Sequence, residues 1–546
     1  MEEPSKLAAN QPLAVTPVEP VLPMSEIQGI VVPGFFKPHQ TLLGIVCGEK
    51  PERLEQFKRL LLELSKEIST ASQTLNDRRE FRASRMSKAK KPKINRTLIA
   101  LALSYSGLKK LTLSADAIPS NAFRQGMAAR STFLGDPTDP KNEGSPLNWK
   151  VGGHASPVDA LIVVAGDARS GVDHTAERLA RRLTKAGLNI VYRENGDVRS
   201  DDPGHEHFGF DDGISQPGIR GRATDAPDDF ITPRHIAAAQ HPEHSLFGYP
   251  GQDLVWPGVL LLGHSVTSPD PLIPGTELPA VPDWTRNGSF LVFRRLRQDV
   301  RLFWRTMNRE AQRLSALPGF AGMTAEKLAS RIVGRWKSGA PVNRVPAADD
   351  PTLGSQPLAS NHFRFDSDAT VLPLNSGYVD PFPQSKADPA GTTCPWAAHI
   401  RKVNTRDSGT DTGGRDSTYI RRLLRVGVPF GKSLKDPFSE EKDDPQKGNR
   451  GLLFLSIQSS IEDQFEFLMA RWMGDSTRPK TPGGHDVLVG QNDTASERRI
   501  RKCVIFGSGL QQSTVATSAQ WIIPTGGEYF FVPSLTALLQ VIGSSA

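Results

Sequence analysis

The apolar residues of this chain form short continuous runs that alternate with stretches of helical spacing. Continuous apolar runs predict buried strands, and apolar residues at helical intervals predict amphipathic helices. One such helix begins at Pro51, a residue that suits a first helical turn because it lacks a backbone N–H. In the first half we predict strands at residues 42–47, 97–103, 159–166 and 188–192, and helices at residues 51–68 and 171–185. This order is consistent with a ferredoxin-like sandwich, in which helices cover a sheet.

The second half has the same mixture of patterns. A run at residues 287–296 predicts a strand that leads into a helix through Phe303 and Trp304. The pair Pro318-Gly319 predicts where that helix ends. Further strands are predicted at residues 452–457 and 520–534, and further helices at residues 324–336 and 461–472. We therefore predict an α+β protein.

Composition places the chain among ordinary globular proteins. Its 546 residues, 38% of them hydrophobic, suffice for two or more domain-sized units. Three cysteines cannot form a disulfide framework, which favours a reducing compartment. We see neither a signal-peptide pattern nor an apolar run long enough to cross a membrane, and we therefore expect a cytoplasmic protein. Residues 1–24 are predicted to form a flexible tail, because they are rich in Pro, Ala and Glu.

The net charge of +7 is compatible with acidic partners but is too diffuse to require nucleic acid. Its densest part is the basic segment at residues 78–96, which we interpret as a solvated loop or linker. Nucleic-acid binding by this segment is a weaker alternative, because the segment lacks the interleaved aromatic residues of a stacking surface. That alternative predicts binding with a steep dependence on salt.

Two separated motifs carry the candidate chemistry. The first, at residues 209–218, places Asp211 and Asp212 between two glycines and ends in Gln-Pro-Gly, which is typical of a tight loop. The second, at residues 394–406, contains a single histidine, His399, followed by several cations. Haem requires an imidazole for its iron and guanidinium groups for its propionates. A lone histidine among apolar residues is also typical of a structural histidine, so the second motif alone leaves both interpretations open.

Together the two motifs resemble those of the dye-decolorizing peroxidase family. The family's distal Gly-x-x-Asp-Gly motif matches residues 209–213, and its proximal-histidine motif matches the segment around His399. The resemblance implies two ferredoxin-like α/β sandwiches of the dimeric α+β barrel type, with antiparallel sheets and with haem in the C-terminal half. It implies an N-terminal domain at residues 25–220 and a haem-binding domain at residues 221–546, which contains a large insertion around residues 340–393.

The resemblance also implies roles for individual residues. It implies one haem b (iron protoporphyrin IX) per chain, with His399 as the iron ligand. Asp212 would be the distal acid and base, and Arg425 would stabilise charge on the distal side. Arg425 is selected because the family's distal arginine stands four residues before the Pro of Pro-Phe-Gly, here Pro429.

Four more positions are candidates for contacts with the cofactor or its ligand. Arg401 and Arg406 are the cations nearest to His399 in sequence and are expected to bind the propionates. A carboxylate is expected to accept a hydrogen bond from His399 and to raise its basicity. Glu462 and Asp463 are both candidates, and the resemblance favours Glu462.

The implied function is a peroxidase that uses hydrogen peroxide to oxidise dyes, phenols and similar aromatic reductants. Trp396, Tyr419 and Tyr378 are candidates to relay electrons from substrates too large for a small distal pocket, but core packing is the favoured interpretation of each ring. The alternative function is a haem-binding or haem-handling protein of the same fold without significant peroxidase turnover. Neither function requires nucleic acid or a membrane span, and a homo-oligomer is compatible with both.

Overall fold

The structure is a computed structural model that describes residues 18–86, 95–237, 242–268, 270–277, 281–439, 444, 448–481, 483–491 and 500–542. Its main sheet has nine strands, which come from both halves of the chain. None of the helices within these ranges is long and apolar enough to span a membrane.

The first half supplies four strands and six helices. The strands are β1 (His39–Val46), β2 (Thr97–Ser104), β3 (Ala160–Gly166) and β4 (Asn189–Asp197). The helices are α1 (Pro51–Leu64), α2 (Ala71–Met86), α3 (Tyr105–Leu111), α4 (Asn121–Gln125), α5 (Met127–Leu134) and α6 (Arg169–Lys185). The strands are antiparallel neighbours in the order β4-β1-β3-β2, which is the order of a ferredoxin-like sandwich.

Short strands and turns connect the two halves. These strands are β5 (Gly218–Ile219), β6 (Leu254–Val255), β7 (Ser265–Thr267) and β8 (Pro274–Glu277). Short 3-10 helices of the chain lie at Leu113–Ala117, Pro242–Ser245, Pro257–Val259, Asp283–Thr285, Arg415–Arg421 and Ser508–Leu510.

The second half forms a second sandwich. Its strands are β9 (Ser289–Gln298), β10 (Leu424–Arg425), β11 (Val428–Phe430), β12 (Gly451–Gln458), β13 (Arg501–Phe506), β14 (Gln512–Thr517) and β15 (Ile522–Val532). Its α-helices are α7 (Val300–Ser315), α8 (Ala325–Val333), α9 (Pro351–Gly354), α10 (His399–Val403) and α11 (Leu535–Ala537). Helices with π-type hydrogen bonding lie at Ile461–Met473 and Leu538–Ile542. The order β10-β12-β9-β15 repeats the ferredoxin-like arrangement, with β11 also paired to β12.

The parts of the main sheet that the two sandwiches contribute meet at both of their edges. At one end β15 pairs with β2, where Phe530 lies opposite Ser104 and Phe531 opposite Leu103. At the other end β4 lies against β11 without a hydrogen-bonded ladder between these two strands. Gly196 of β4 permits this approach, because a Cβ atom there would lie 2.2 Å from Val428 Cγ1.

Residues of β2 contribute alternately to two cores. Leu101 and Leu103 belong to the core shared with α1 and α6. Ala100 and Ala102 belong to the core shared with β9, β12 and β15 of the other sandwich. Because both faces of the strand are buried, its sequence is a continuous apolar run rather than an alternating one.

The basic segment differs from the sequence-based prediction. Arg78, Arg79 and Arg82 lie on α2, which extends to Met86, so the prediction of a loop is wrong for this part. The helical part begins at Ala71, after α1 has ended at Leu64. The more basic part of the segment, residues 87–94, lies outside the described residues.

The end of the predicted flexible tail is packed against the body of the protein. Leu22 and Met24 are buried, and Glu19 is a buried ion-pair partner of Arg220 and Arg234. The prediction of flexibility is therefore wrong for residues 18–24, because a buried carboxylate and two buried apolar side chains attach them. The rest of the predicted tail, residues 1–17, lies outside the described residues.

Candidate active site

A deep cavity lies where the distal loop, α10, β10, β12 and the helix Ile461–Met473 come together. It encloses about 1840 Å³, counted with its open mouth. Asp212, His399 and Arg425, which belong to three separate segments of the chain, all line it. Many of its other lining side chains are apolar, and these include Leu296, Phe454, Phe465, Leu468, Met469, Met473, Leu488, Val489 and Ile522.

The distal loop follows the first sandwich and presents Asp212 to the cavity. Its two glycines, Gly209 and Gly213, have backbone φ angles of 93° and 86°, which residues other than glycine rarely adopt. Asp212 Oδ1 accepts a hydrogen bond from Arg425 Nη1 at 3.0 Å and one from the Gly213 N–H at 2.7 Å. The side chains of Asp212 and Arg425 are 39% and 29% exposed, so the pair is accessible from the cavity. The tight loop predicted from the glycines is therefore present.

Gln216 holds the backbone of Arg425 through two hydrogen bonds. Its Nε2 donates to the Arg425 carbonyl at 3.0 Å, and its Oε1 accepts from the Arg425 N–H at 3.0 Å. The Arg425 guanidinium also donates through Nη2 to the Ser215 carbonyl at 3.2 Å. The distal loop thus fixes both the main chain and the side chain of Arg425. The sequence shows Gln216 only as part of a turn, since nothing in it indicates the partner strand.

Asp486 is the hydrogen-bond partner of His399. His399 Nδ1 lies 2.7 Å from Asp486 Oδ2, and the imidazole remains 24% exposed. Burial would raise the pKa of Asp486, but its interaction with His399 and the N–H groups of Val489 and Leu488 outweigh burial and lower that pKa. The Asp486 carboxylate is therefore ionised and ready to accept the His399 Nδ1–H, which leaves Nε2 free of this bond.

The prediction that Glu462 partners His399 is wrong. Glu462 Oε1 accepts hydrogen bonds from Ser120 Oγ at 2.9 Å and from the Ala122 N–H at 2.8 Å, so it ties its helix to the first half of the chain. The alternative candidate, Asp463, accepts through Oδ2 from Ser460 Oγ at 3.1 Å at the start of the same helix. Asp486 lies in a stretch without regular secondary structure, and no local sequence pattern identifies it.

Arg401 does not line the cavity, which corrects its expected role. It is fully buried, donates through Nη1 to the Cys394 carbonyl at 2.8 Å and lies near the carboxylates of Asp366 and Asp388. Its guanidinium carbon is 3.9 Å from the centroid of the Trp396 ring. Arg401 is therefore held inside the protein by carboxylates of the chain itself.

Arg406, in contrast, lines the cavity. It stacks on Phe363 with its guanidinium carbon 3.5 Å from the ring centroid, and it donates to Asn361 Oδ1 at 2.7 Å. Burial, with the neighbouring charge of Arg335 as the next cause, lowers the pKa of Arg406 to about 9. Among the described residues Arg406 forms no ion pair, so its positive charge is available to an anion in the cavity.

Two further arginines at the cavity have donors without partners in the part of the chain that the structure describes. Arg422 pairs with Asp253 at 2.8 Å, and Arg421 lies 3.4 Å from Asp463. Arg422 Nη1 and Arg421 Nε are nevertheless buried N–H groups that have no partner among the described residues. Apolar walls together with unused guanidinium donors fit a flat apolar cofactor that carries carboxylates.

The three candidate relay residues are largely enclosed. Trp396 is 4% exposed and has both Arg401 and Lys480 over its ring, and Tyr419 is fully buried. Tyr378 is half-buried in the long segment before α10. Cations over the Trp396 ring disfavour an oxidised, positively charged indole, so the geometry supports core packing for this residue.

Comparisons with known proteins agree with this architecture. Residues 26–200 match the model of the DyP dimeric alpha+beta barrel domain. The chain is 32% identical over 457 residues to dye-decolorizing peroxidase msp1 of Mycetinis scorodonius, which covers 82% of this chain and 76% of that protein.

Two solved structures show the same likeness. The structure of an ancestral D-type dye decolorizing peroxidase has a TM-score of 0.72 and 30% identity, and it covers 96% of this chain and 100% of the other. A dye-decolorizing peroxidase whose heme pocket was engineered for asymmetric sulfoxidation has a TM-score of 0.68 and 25% identity, with the same coverage.

The chain therefore belongs to the dye-decolorizing peroxidase family. It is a peroxidase, and the predicted fold class of two ferredoxin-like sandwiches with antiparallel sheets is confirmed. Peroxidases of this family are haem enzymes, as the engineered heme pocket of one relative indicates, and the structure of another holds 2,6-dimethoxyphenol. The boundary predicted between the domains at residues 220 and 221 remains a prediction.

Proposed function

We propose that this peroxidase binds one haem b per chain in the cavity and uses hydrogen peroxide to oxidise dyes, phenols and similar aromatic compounds. The observation that carries the proposal is that the Asp212–Arg425 pair and the His399–Asp486 pair line one apolar cavity. Bound haem supplies an iron that receives peroxide and stores the oxidising equivalents taken from it.

Asp212 is the proposed acid and base. A carboxylate within hydrogen-bond reach can take a proton from one oxygen of peroxide and return it to the other. The exposed fraction of Asp212 leaves its second oxygen, Oδ2, available to a small molecule, because the hydrogen bonds from the Gly213 N–H and Arg425 Nη1 both go to Oδ1. The proposed role therefore needs no rearrangement of the distal loop.

Arg425 is the proposed charge stabiliser. Its guanidinium is aimed by hydrogen bonds to Asp212 and to the Ser215 carbonyl. A fixed cation lowers the barrier where negative charge develops on the departing oxygen. The loop that aims Arg425 also carries Asp212, so the proton carrier and the cation keep a constant separation.

His399 is the proposed iron ligand. Since Nδ1 is engaged by Asp486, ligation would use Nε2. The Asp486 carboxylate fixes the tautomer and raises the basicity of the imidazole. Arg406, which has no carboxylate partner among the described residues, is the proposed contact of a propionate, and Arg401 is withdrawn from that role.

An absorption spectrum of the protein with added haemin tests cofactor binding. We expect a haem spectrum in the wild type and a lost or strongly altered one in His399→Ala. Peroxide-dependent dye oxidation then tests the chemistry. Asp212→Asn is expected to lower kcat/KM for peroxide by about 10²- to 10⁴-fold, and Arg425→Leu by about 10²- to 10³-fold. The exposed Asp228→Asn is the matched control and should leave both measurements unchanged.

The outcomes also separate the two candidate functions. Haem binding without peroxide turnover in the wild type would favour haem handling, which needs only His399 and contacts to the propionates. Normal turnover in Asp212→Asn or in Arg425→Leu would disprove the role assigned to that residue.

A further inference from the structure

A second cavity lies beside the first, and α2 contributes to its lining. It encloses about 1560 Å³ with its mouth, and its lining includes the α2 residues Arg78, Arg79 and Arg82. Asp211 is the one carboxylate-bearing residue among the described lining residues. None of these arginines has a role in the proposed reaction with hydrogen peroxide.

Within the described parts of the chain, two of the three arginines have no carboxylate partner. Arg79 lies 2.6 Å from Asp229 and is thereby neutralised. Arg78 donates to the Pro33 carbonyl at 3.3 Å, and neither Arg78 nor Arg82 forms an ion pair with any described residue. Burial, and secondly the charge of Arg82, lower the pKa of Arg78 to about 10, so it still carries its charge at neutral pH. The wall formed by α2 therefore holds two uncompensated cations.

Aromatic rings line the same cavity. Phe36, Phe230 and Tyr249 contribute to its walls, and the Tyr249 ring stacks on His235 with centroids 4.0 Å apart. Burial, followed by the charge of Arg82, lowers the pKa of His235, which keeps that imidazole neutral. Cations beside aromatic and apolar walls fit a ligand with a ring and a negative group.

The second cavity shares part of the distal loop, and also Asn361, with the first. Gly213, Ile214, Gln216 and Pro217 of the distal loop line both cavities. Within β10, Leu424 lines the second cavity while its neighbour Arg425 lines the first. A ring bound in the second cavity would therefore lie one loop away from the proposed catalytic pair.

We propose that the second cavity binds a small aromatic anion, such as an aryl carboxylate, with Arg82 and Arg78 holding the charge and the aromatic walls holding the ring. As an extension that rests on the proposed peroxidase function, the bound molecule is a reducing substrate. Where the bound anion also carries a phenol group, two such molecules each give up one electron and one proton. These two electrons and two protons reduce one hydrogen peroxide to two water molecules. The two phenoxyl radicals are the oxidised products.

Binding is tested without peroxide, so its result does not depend on turnover. Calorimetric titration of the haem-loaded protein uses naphthalene-2-carboxylate as the probe and the neutral naphthalene-2-carboxamide as its counterpart. Arg82→Gln removes an exposed cation that has no ion pair, and we expect it to raise the Kd of the carboxylate roughly three- to tenfold. Arg82→Lys should retain most of the affinity, and Arg59→Gln, an exposed arginine on α1, is the matched control.

Two results would overturn the binding site. One is equal affinity for the carboxylate and the carboxamide, and the other is an unchanged carboxylate Kd in Arg82→Gln. A change of the same size in Arg59→Gln would also overturn it, since this would reflect a general effect of net charge.

Steady-state kinetics tests the substrate role. In Arg82→Gln we expect a higher KM for 4-hydroxybenzoate, with kcat and the KM for the neutral 4-hydroxybenzamide unchanged. An unchanged KM for 4-hydroxybenzoate alongside a weaker Kd would overturn the substrate role. Failure of the proposed function appears differently, as carboxylate binding with no peroxide turnover by the wild type.

Discussion

Replacing Gln216 with alanine removes the link between the distal loop and the main chain of Arg425. In the structure, this one amide satisfies both the N–H and the carbonyl of Arg425 on the side of β10 that faces away from β12. Alanine at this position keeps the backbone of the turn but satisfies neither group. We expect Arg425 to lose its fixed position while Asp212 stays in place.

The size of the effect follows from the two hydrogen bonds. Each is worth about 0.5–1.5 kcal/mol net, and a partly buried peptide group left without a partner costs about 1–3 kcal/mol. Gln216→Ala should therefore lower the free energy of unfolding by about 1–3 kcal/mol. A displacement of Arg425 by about 1 Å can cost up to about 10²-fold in rate. The loss in kcat/KM for peroxide should not exceed that of Arg425→Leu, because Gln216 acts only through Arg425.

The assay is kcat/KM for peroxide at saturating reductant, combined with a double-mutant cycle. In the Arg425→Leu background, Gln216→Ala should cost little further activity. Gln216→Glu should be intermediate, because its carboxylate can accept from the Arg425 N–H but cannot donate to the carbonyl. Wild-type turnover in Gln216→Ala, or an equal loss in both backgrounds, would refute a positioning role.

Three other changes test separate parts of the structure. Asp486→Asn should lower haem affinity or turnover by about 10- to 100-fold, because it removes the carboxylate that fixes the His399 imidazole. Haem affinity and turnover that both match the wild type would contradict this role of Asp486. Burial outweighs the N–H groups of Met127 and Tyr529 and raises the pKa of Glu528 from 4.5 to about 7. The contribution of Glu528 to the free energy of unfolding is therefore complete below about pH 4.5 and is lost as pH rises through about 7. The free energy of unfolding falls by about 3 kcal/mol over this range. Glu528→Gln should flatten this slope in urea unfolding between about pH 5 and about pH 8, and an unchanged slope would contradict the argument. Trp396→Phe should leave dye turnover within about twofold of the wild type. It should lower the free energy of unfolding by about 1 kcal/mol, because the hydrogen bond from the indole N–H to the Pro389 carbonyl is lost. A selective loss of dye turnover would instead indicate an electron relay.

Strands and helices were predictable where burial on both faces leaves a plain signal in the sequence. Strand β2 is apolar throughout because it separates two cores, and the predicted residues 97–103 nearly coincide with Thr97–Ser104. The distal loop was predictable for another reason, since Gly209 and Gly213 adopt positive φ angles that side chains disfavour. Both signals are local, and a single sequence displays local constraints directly.

Partners that meet only through the tertiary fold were not predictable in the same way. Arg401 and Arg406 are both cations that follow His399, yet one is enclosed with Asp366 and Asp388 while the other reaches the cavity. Their separation in sequence does not reveal which arginine reaches the cavity, because α10 ends at Val403 and helical spacing therefore does not relate the two positions. Asp486 is 87 residues from His399, so the bond between them depends on how remote segments pack.

Either the Asp212–Arg425 pair holds the two sandwiches together, or the two sandwiches position the pair. Asp212 and Arg425 are 213 positions apart and come from different sandwiches. An ion pair as exposed as theirs contributes only about 0–1 kcal/mol, which is too little to hold two sandwiches together. The core shared by both sheets, with Phe293, Leu455 and Phe530 fully buried in it, provides that attachment. The fold therefore places the pair, and substitutions that keep the shape of either side chain should change the chemistry while leaving stability nearly unaltered.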